Sequence, residues 1–125
     1  NTTISAGNSS NISNYTLSFT PKFPNSLCIY ETTITGQTSN DNGYVKFSVK
    51  DDVSGDTLQS NDYIAQLGYT HTEWIDVPIR SIFIPLHTNA MTIRLFAEAQ
   101  TGDFASNFSS GTSRLMTVTE IAQWV

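Results

Sequence analysis

The chain has 125 residues, with six Lys and Arg against eleven Asp and Glu, and a formal net charge of −5 at pH 7. A single domain of this size buries roughly two thirds of its unfolded surface without disulfide staples, and the one cysteine, Cys28, permits neither an internal disulfide nor a multi-cysteine metal site. Lys22, Lys46, Lys50, Arg80, Arg94 and Arg114 are scattered along the sequence, which argues against nucleic acid or an anionic membrane as partner, and no apolar run approaches the ~18 residues of a membrane span.

Polarity without charge marks the composition: Ser, Thr and Asn supply 15, 17 and 10 residues, whereas Lys and Glu together supply seven. These residues favour caps, turns and strand surfaces over helix interiors, so an all-β domain is expected.

Residues 1–14 (NTTISAGNSSNISN) read as an extended lead-in or linker continuing from an upstream region, and 15–125 as the folded domain. From Tyr15 the apolar residues alternate through Leu17 and Phe19, until Pro21 and Pro24 interrupt the ladder. A second strand is predicted over Ser26–Thr38, ending near Gly36. The Asn40-Asp41-Asn42-Gly43 run then signals a hairpin into Tyr44–Lys50, with Val45, Phe47 and Val49 facing inward. Asp51-Asp52 and Ser54-Gly55-Asp56 form the next turn, and Tyr63, Ile64 and Leu67 belong to a shorter segment ending near Gly68.

Ile75–Leu86 is the most hydrophobic run and is expected to be buried on both faces. Met91–Gln100 alternates, with Met91, Ile93, Leu95, Ala97 and Ala99 on one face; the β-branched start favours strand over helix. A Gly/Ser/Asn/Phe loop over 101–113 leads into a final strand from Arg114 to Ile121. About eight short antiparallel strands separated by turn residues predict a sandwich of the jelly-roll type.

Catalytic patterns are missing. There is no Gly-x-Ser-x-Gly turn, and His71 and His87 are the only candidate bases. Cys28 lies between Leu27 and Ile29 in a strand, the setting of a buried inert thiol. The two histidines lack zinc-pair spacing, and Asp51-Asp52 and Asp41-Asn42-Gly43 read as turns rather than calcium loops. No carboxylate pair can be singled out among Glu31, Glu73, Glu98 and Glu120 for glycoside hydrolysis. The reading is non-enzymatic, with no cofactor and no metal.

Binding is the remaining class. Tyr69, His71 and Trp74 crowd one short polar segment, and Phe104, Asn107 and Phe108 lie in the 101–113 loop; aromatic rings among neutral hydrogen-bonding residues suit a sugar or protein ligand. Large aromatics also serve as core or interface residues. Sequons stand at Asn1, Asn8, Asn11, Asn14 and Asn107, a mild excess over the roughly two to three that the composition gives by chance.

Two stretches carry a family likeness. Leu17-Ser18-Phe19-Thr20-Pro21-Lys22-Phe23-Pro24-Asn25-Ser26-Leu27-Cys28-Ile29 and Ser110-Gly111-Thr112-Ser113-Arg114-Leu115-Met116-Thr117-Val118-Thr119-Glu120-Ile121 resemble the first and last strands of the carboxy-terminal head domains of bacteriophage tail fibres. Those heads are jelly rolls similar to the complement globular head and tumour necrosis factor. The segment Cys28-Ile29-Tyr30-Glu31-Thr32 is less aliphatic than the family's usual second strand.

The resemblance implies a homotrimer at the distal end of a virion tail fibre, outside the cell, that attaches to a host surface glycan or protein. The alternatives are a fibre trimerisation or decoration domain without receptor contact, and a secreted domain of the complement or tumour-necrosis type. From the residues, the subunit contact is expected at Arg94, Phe96 and Glu98, at Phe83 within Ile82-Phe83-Ile84, and at Trp124.

Overall fold

Apolar side chains recurring at every second position set the chain into strands. The computed structural model describes residues 2–39, 43–58, 65–68, 74–106 and 115–123, except for the side chains of 13, 14 and 65–68. Among these residues are nine strands and no helix: β1 (Thr2–Ile4), β2 (Ser9–Phe19), β3 (Leu27–Thr38), β4 (Tyr44–Asp51), β5 (Ala65–Gly68), β6 (Ile75–Phe83), β7 (Met91–Thr101), β8 (Phe104–Ser106) and β9 (Thr117–Ile121).

They form two antiparallel sheets. One runs β1-β8-β3-β6 with β9 also beside β3, and the other runs β2-β7-β4-β5. β9 pairs with Leu27–Glu31 of β3 while β8 pairs with Gly36–Thr38, so these two segments share one lane and the nine strands occupy eight. Strand one then lies beside eight, two beside seven, three beside six and four beside five, as in a long folded ribbon wound across two sheets. That is the jelly roll.

The inward faces meet in one core. Val45, Phe47 and Val49 of β4 are fully buried, as are Ile93 and Leu95 of β7 and Ile34 of β3. The Phe47 and Phe104 rings meet edge to face with centroids 5.5 Å apart. Gly36 leaves room for that second ring: a Cβ there would come within 2.5 Å of Phe104 Cε2. The residue therefore lies within β3 and does not end it.

Four expectations are corrected. Residues 2–14 are part of the sandwich and not a lead-in: β1 pairs with β8, β2 pairs with β7, a turn at Ala6 and Gly7 joins them, and Ile4 and Ile12 are buried. A register shift between Asn11 and Thr16 turns both Ile12 and Tyr15 inward, which simple alternation cannot do. The Asn40–Gly43 signal does not make a hairpin, because β3 and β4 pair with other strands in opposite sheets. Residues 40–42 themselves lie outside the described residues.

β6 is not buried on both faces. Val77, Ile79, Ser81 and Phe83 point inward, whereas Ile82 is exposed, as is Ile84 just beyond the strand. The 101–113 stretch is in part strand, and Phe104, expected at a ligand, is fully buried in the core. Its place in a Gly/Ser loop composition concealed the alternation Phe104-Ala105-Ser106.

Phe104→Ala is expected to destabilise the domain by about 3–5 kcal/mol, through lost burial and the cavity left against Phe47. Chemical denaturation of the variant and the wild type checks this.

Candidate functional site

The two stretches that carry the family likeness meet in space. β9 presents Val118 and Glu120 towards the inner side of its sheet, and Glu120 lies opposite Cys28 in register. Its carboxylate accepts the Lys22 N–H (2.9 Å to Oε1 and 3.0 Å to Oε2), the Phe23 N–H (3.1 Å to Oε2) and the Ser26 hydroxyl (2.6 Å to Oε2). One side chain therefore holds the turn between β2 and β3 from a position 94 residues further along the chain than Ser26.

Asn25 completes that turn with φ at 64°, a left-handed conformation that Asn tolerates better than most residues, and its N–H donates to the Pro85 carbonyl at 2.9 Å. Ser26 is fully buried, and its hydroxyl lies 3.6 Å from the Cys28 sulfur. Burial pushes the Cys28 thiol upward, which suits an inert structural cysteine.

This clamp fixes an apolar surface beside it. On the outer face of the sheet, Ile29 lies directly opposite Ile82, and Leu27 opposite Ile121. Ile82 is 45% exposed, Ile84 48% and Ile121 46%, with Phe23 and Leu86 exposed nearby in sequence. Around the corner, Leu27, Ile82 and Ile84 also line a hollow of about 510 Å³ that reaches Leu58 and Met91, with Asp51, Asp56 and His87 among its lining residues.

β6 is an edge strand of its sheet among the described residues. Its far half carries Asp76, Pro78 and Arg80 on the outer face, residues that discourage edge pairing, and Pro78 is tolerated because an edge position spares its missing N–H. The near half, with Ile82 and then Ile84, has no such protection.

Asp51 anchors the turn after β4. It is almost fully buried and accepts the N–H groups of Val53 (3.1 Å) and Thr92 (3.0 Å) and the Ser54 hydroxyl (3.0 Å). Burial alone would raise its carboxyl, but these hydrogen bonds outweigh burial and hold it below the ordinary value. The acidic turn is structural, as its sequence suggests. Among the described residues no group of three or more His, Cys, Asp or Glu could hold a metal ion.

The other anticipated residues separate. Trp74 stands 44% exposed just before β6. Tyr69, His71, Asn107, Phe108 and Trp124 lie outside the described residues. Phe83 is buried on the inner face, so it is a core residue rather than part of a subunit contact; its exposed neighbours Ile82 and Ile84 are the residues that alternation places outward.

Arg94, Phe96 and Glu98 share the outer face of the opposite sheet, where Arg94 pairs with Asp52 at 2.9 Å. That face is largely polar, whereas exposed Ile82 and Ile121 lie on the β3/β6/β9 face. Sequence reasoning missed Leu27, Ile29 and Ile121 there because only strand pairing brings them to Ile82. Comparison with protein-family models and with curated proteins finds no match.

Partial burial favours a raised Glu120 carboxyl, yet hydrogen bonds from Ser26, Lys22 and Phe23 and the Lys22 charge hold it below its ordinary 4.5. Its contribution to stability is therefore complete above that value and is lost as pH falls through the lowered one. Asp51 adds a second contribution of the same sign. Glu120→Gln is expected to lower the melting temperature at pH 7 and to leave a shallower acid-side decline, read from thermal melts between pH 7 and pH 2.

Proposed function

We propose that the chain is the trimeric head of a virion tail fibre, a non-enzymatic module that attaches the particle to a glycan or protein on the host cell surface. The observation that carries the reading is the aliphatic surface made by exposed Ile82, Ile84 and Ile121 around half-buried Leu27 and Ile29, which reaches the unprotected half of the β6 edge. An isolated chain would leave that surface in water, and a self-associating one would cover it.

The residues that carry the likeness to fibre heads support the same reading, since Pro21–Ser26 and Glu120 together build the clamp that shapes this surface. In this arrangement the aliphatic end of the β3/β6/β9 face turns to the threefold contact and the polar β2/β7/β4 face turns outward, while exposed Trp74, before the opposite end of β6 from Ile82, stays available to a ligand. A fibre cap without receptor contact would use the same apolar surface but would show no cell binding.

Light scattering on the eluting wild-type protein should give three times the 13.8 kDa of one chain. Ile82→Glu with Ile84→Glu should give the single-chain mass with the β-sheet circular dichroism retained. A wild-type monomer would overturn the trimer. Trp74→Ala should weaken cell attachment severalfold without changing the melting temperature, and unchanged attachment would remove Trp74 from the receptor site.

A further inference from the structure

The outer face of the second sheet carries a built pocket. Register places Phe96 of β7 between Asn11 of β2 and Ser48 of β4, with Glu98 one step along the same face, opposite Ser9. The loop after β4 returns as an isolated bridge between Lys50 and Thr57, which raises a wall beside the Phe96 ring. Ser9, Ser48, Lys50, Thr57, Phe96 and Glu98 enclose a cavity of about 190 Å³.

Three features mark this pocket. The Lys50 ammonium stands 4.8 Å from the Phe96 ring centre and has no carboxylate partner among the described residues. Ser48 is 8% exposed and lines the cavity, and its hydroxyl makes no hydrogen bond to any described residue. Glu98 is oriented by the Gln100 side-chain amide, which donates to its Oε1 at 3.0 Å. An aromatic ring is thus surrounded by hydroxyls, with a cation and a carboxylate in the wall.

We propose that this pocket binds one pyranose ring, the terminal residue of a glycan chain. The C–H face of a sugar packs on an aromatic ring, while its hydroxyls need neutral donors and acceptors on several sides. Ser48 meets one hydroxyl from the floor, Ser9 and Thr57 meet others from the rim, Glu98 accepts from a sugar hydroxyl, and Lys50 donates to a sugar oxygen once the sugar takes its place on the ring. The cavity is smaller than the roughly 300 Å³ at which drug-sized sites begin, so it admits a single ring and not an extended chain.

The site deepens the attachment reading by naming its ligand, and for its biological meaning it rests on that reading. A trimer would present three copies of it, and binding of several weak sites at once suits a cell surface.

The test titrates methyl glucopyranosides, methyl galactopyranosides and N-acetylglucosamine, each separately, into nitrogen-15-labelled protein in its native oligomeric state. At least one sugar should give saturable amide shifts centred on Ser9, Ser48, Lys50, Phe96 and Glu98. Phe96→Ala should lower that affinity on the order of tenfold or more. Ser48→Ala, which keeps the shape of the pocket, should weaken it by a smaller factor and guards against a Phe96→Ala variant that misfolds.

No saturable shift with any of these sugars, shifts centred elsewhere, or full affinity in folded Phe96→Ala would overturn the site. If sugar binds at Phe96 but folded Phe96→Ala still attaches to cells as the wild type does, the pocket stands and its role in attachment falls. If no sugar binds while the protein labels cells in a Trp74-dependent manner, the pocket falls and the attachment reading stands.

Discussion

Glu120 is the fastener of this fold. Most carboxylates on strands project into water, but this one turns beneath the β2–β3 turn and satisfies two backbone donors and a buried hydroxyl at once. Charge-assisted hydrogen bonds of this kind are about twice as strong as neutral ones, and they shield amides that the turn could not otherwise pair. Because Glu120 belongs to β9, the last strand is registered against β3 by the same contact that shapes the turn leading into β3. The aliphatic surface around Ile29, Ile82 and Ile121 inherits its geometry from that register.

The two sheets divide the chemistry of the surface between them. One outer face combines aliphatic residues at one end with Glu31, Asp76 and Arg80 at the other. The opposite face carries Ser, Thr, Lys, Arg and Glu around two aromatic rings, Phe96 on β7 and Tyr44 at the start of β4, among the described residues. Such segregation lets one domain self-associate through one side and remain hydrated on the other, as the proposed fibre head requires. Phe96 belongs to the hydrated side, away from the aliphatic surface, and there the proposed pocket uses it as a ligand platform.

Much of the strand pattern was legible in the sequence because alternation reports which residues share a face: Val45/Phe47/Val49 and Met91/Ile93/Leu95/Ala97/Ala99 are buried as the pattern predicts. Alternation does not report which strand lies alongside. For that reason the Asn40–Gly43 turn looked like a hairpin although its flanking strands belong to different sheets, and the joining of Leu27, Ile29, Ile82 and Ile121 into one surface was invisible. Phe104 was misplaced for a local reason, since three residues of strand inside a Ser/Gly/Asn stretch are too short to show a period. The candidate pocket at Phe96 was hidden similarly: its ring and hydroxyls come from β2, β4, β7 and the loop that returns to Lys50.

The nested order of the ribbon also governs when the chain can become a protein at all. Strand one needs strand eight, and strand two needs strand seven, so a chain emerging from the ribosome holds almost no complete pair until its second half has been made. Only β4 and β5, the innermost pair, can close early. Until β9 arrives, the Leu27–Glu31 edge of β3 stands open and the β2–β3 turn lacks the carboxylate that fastens it, so translation rate and protection of the unfinished chain become part of how this domain is produced.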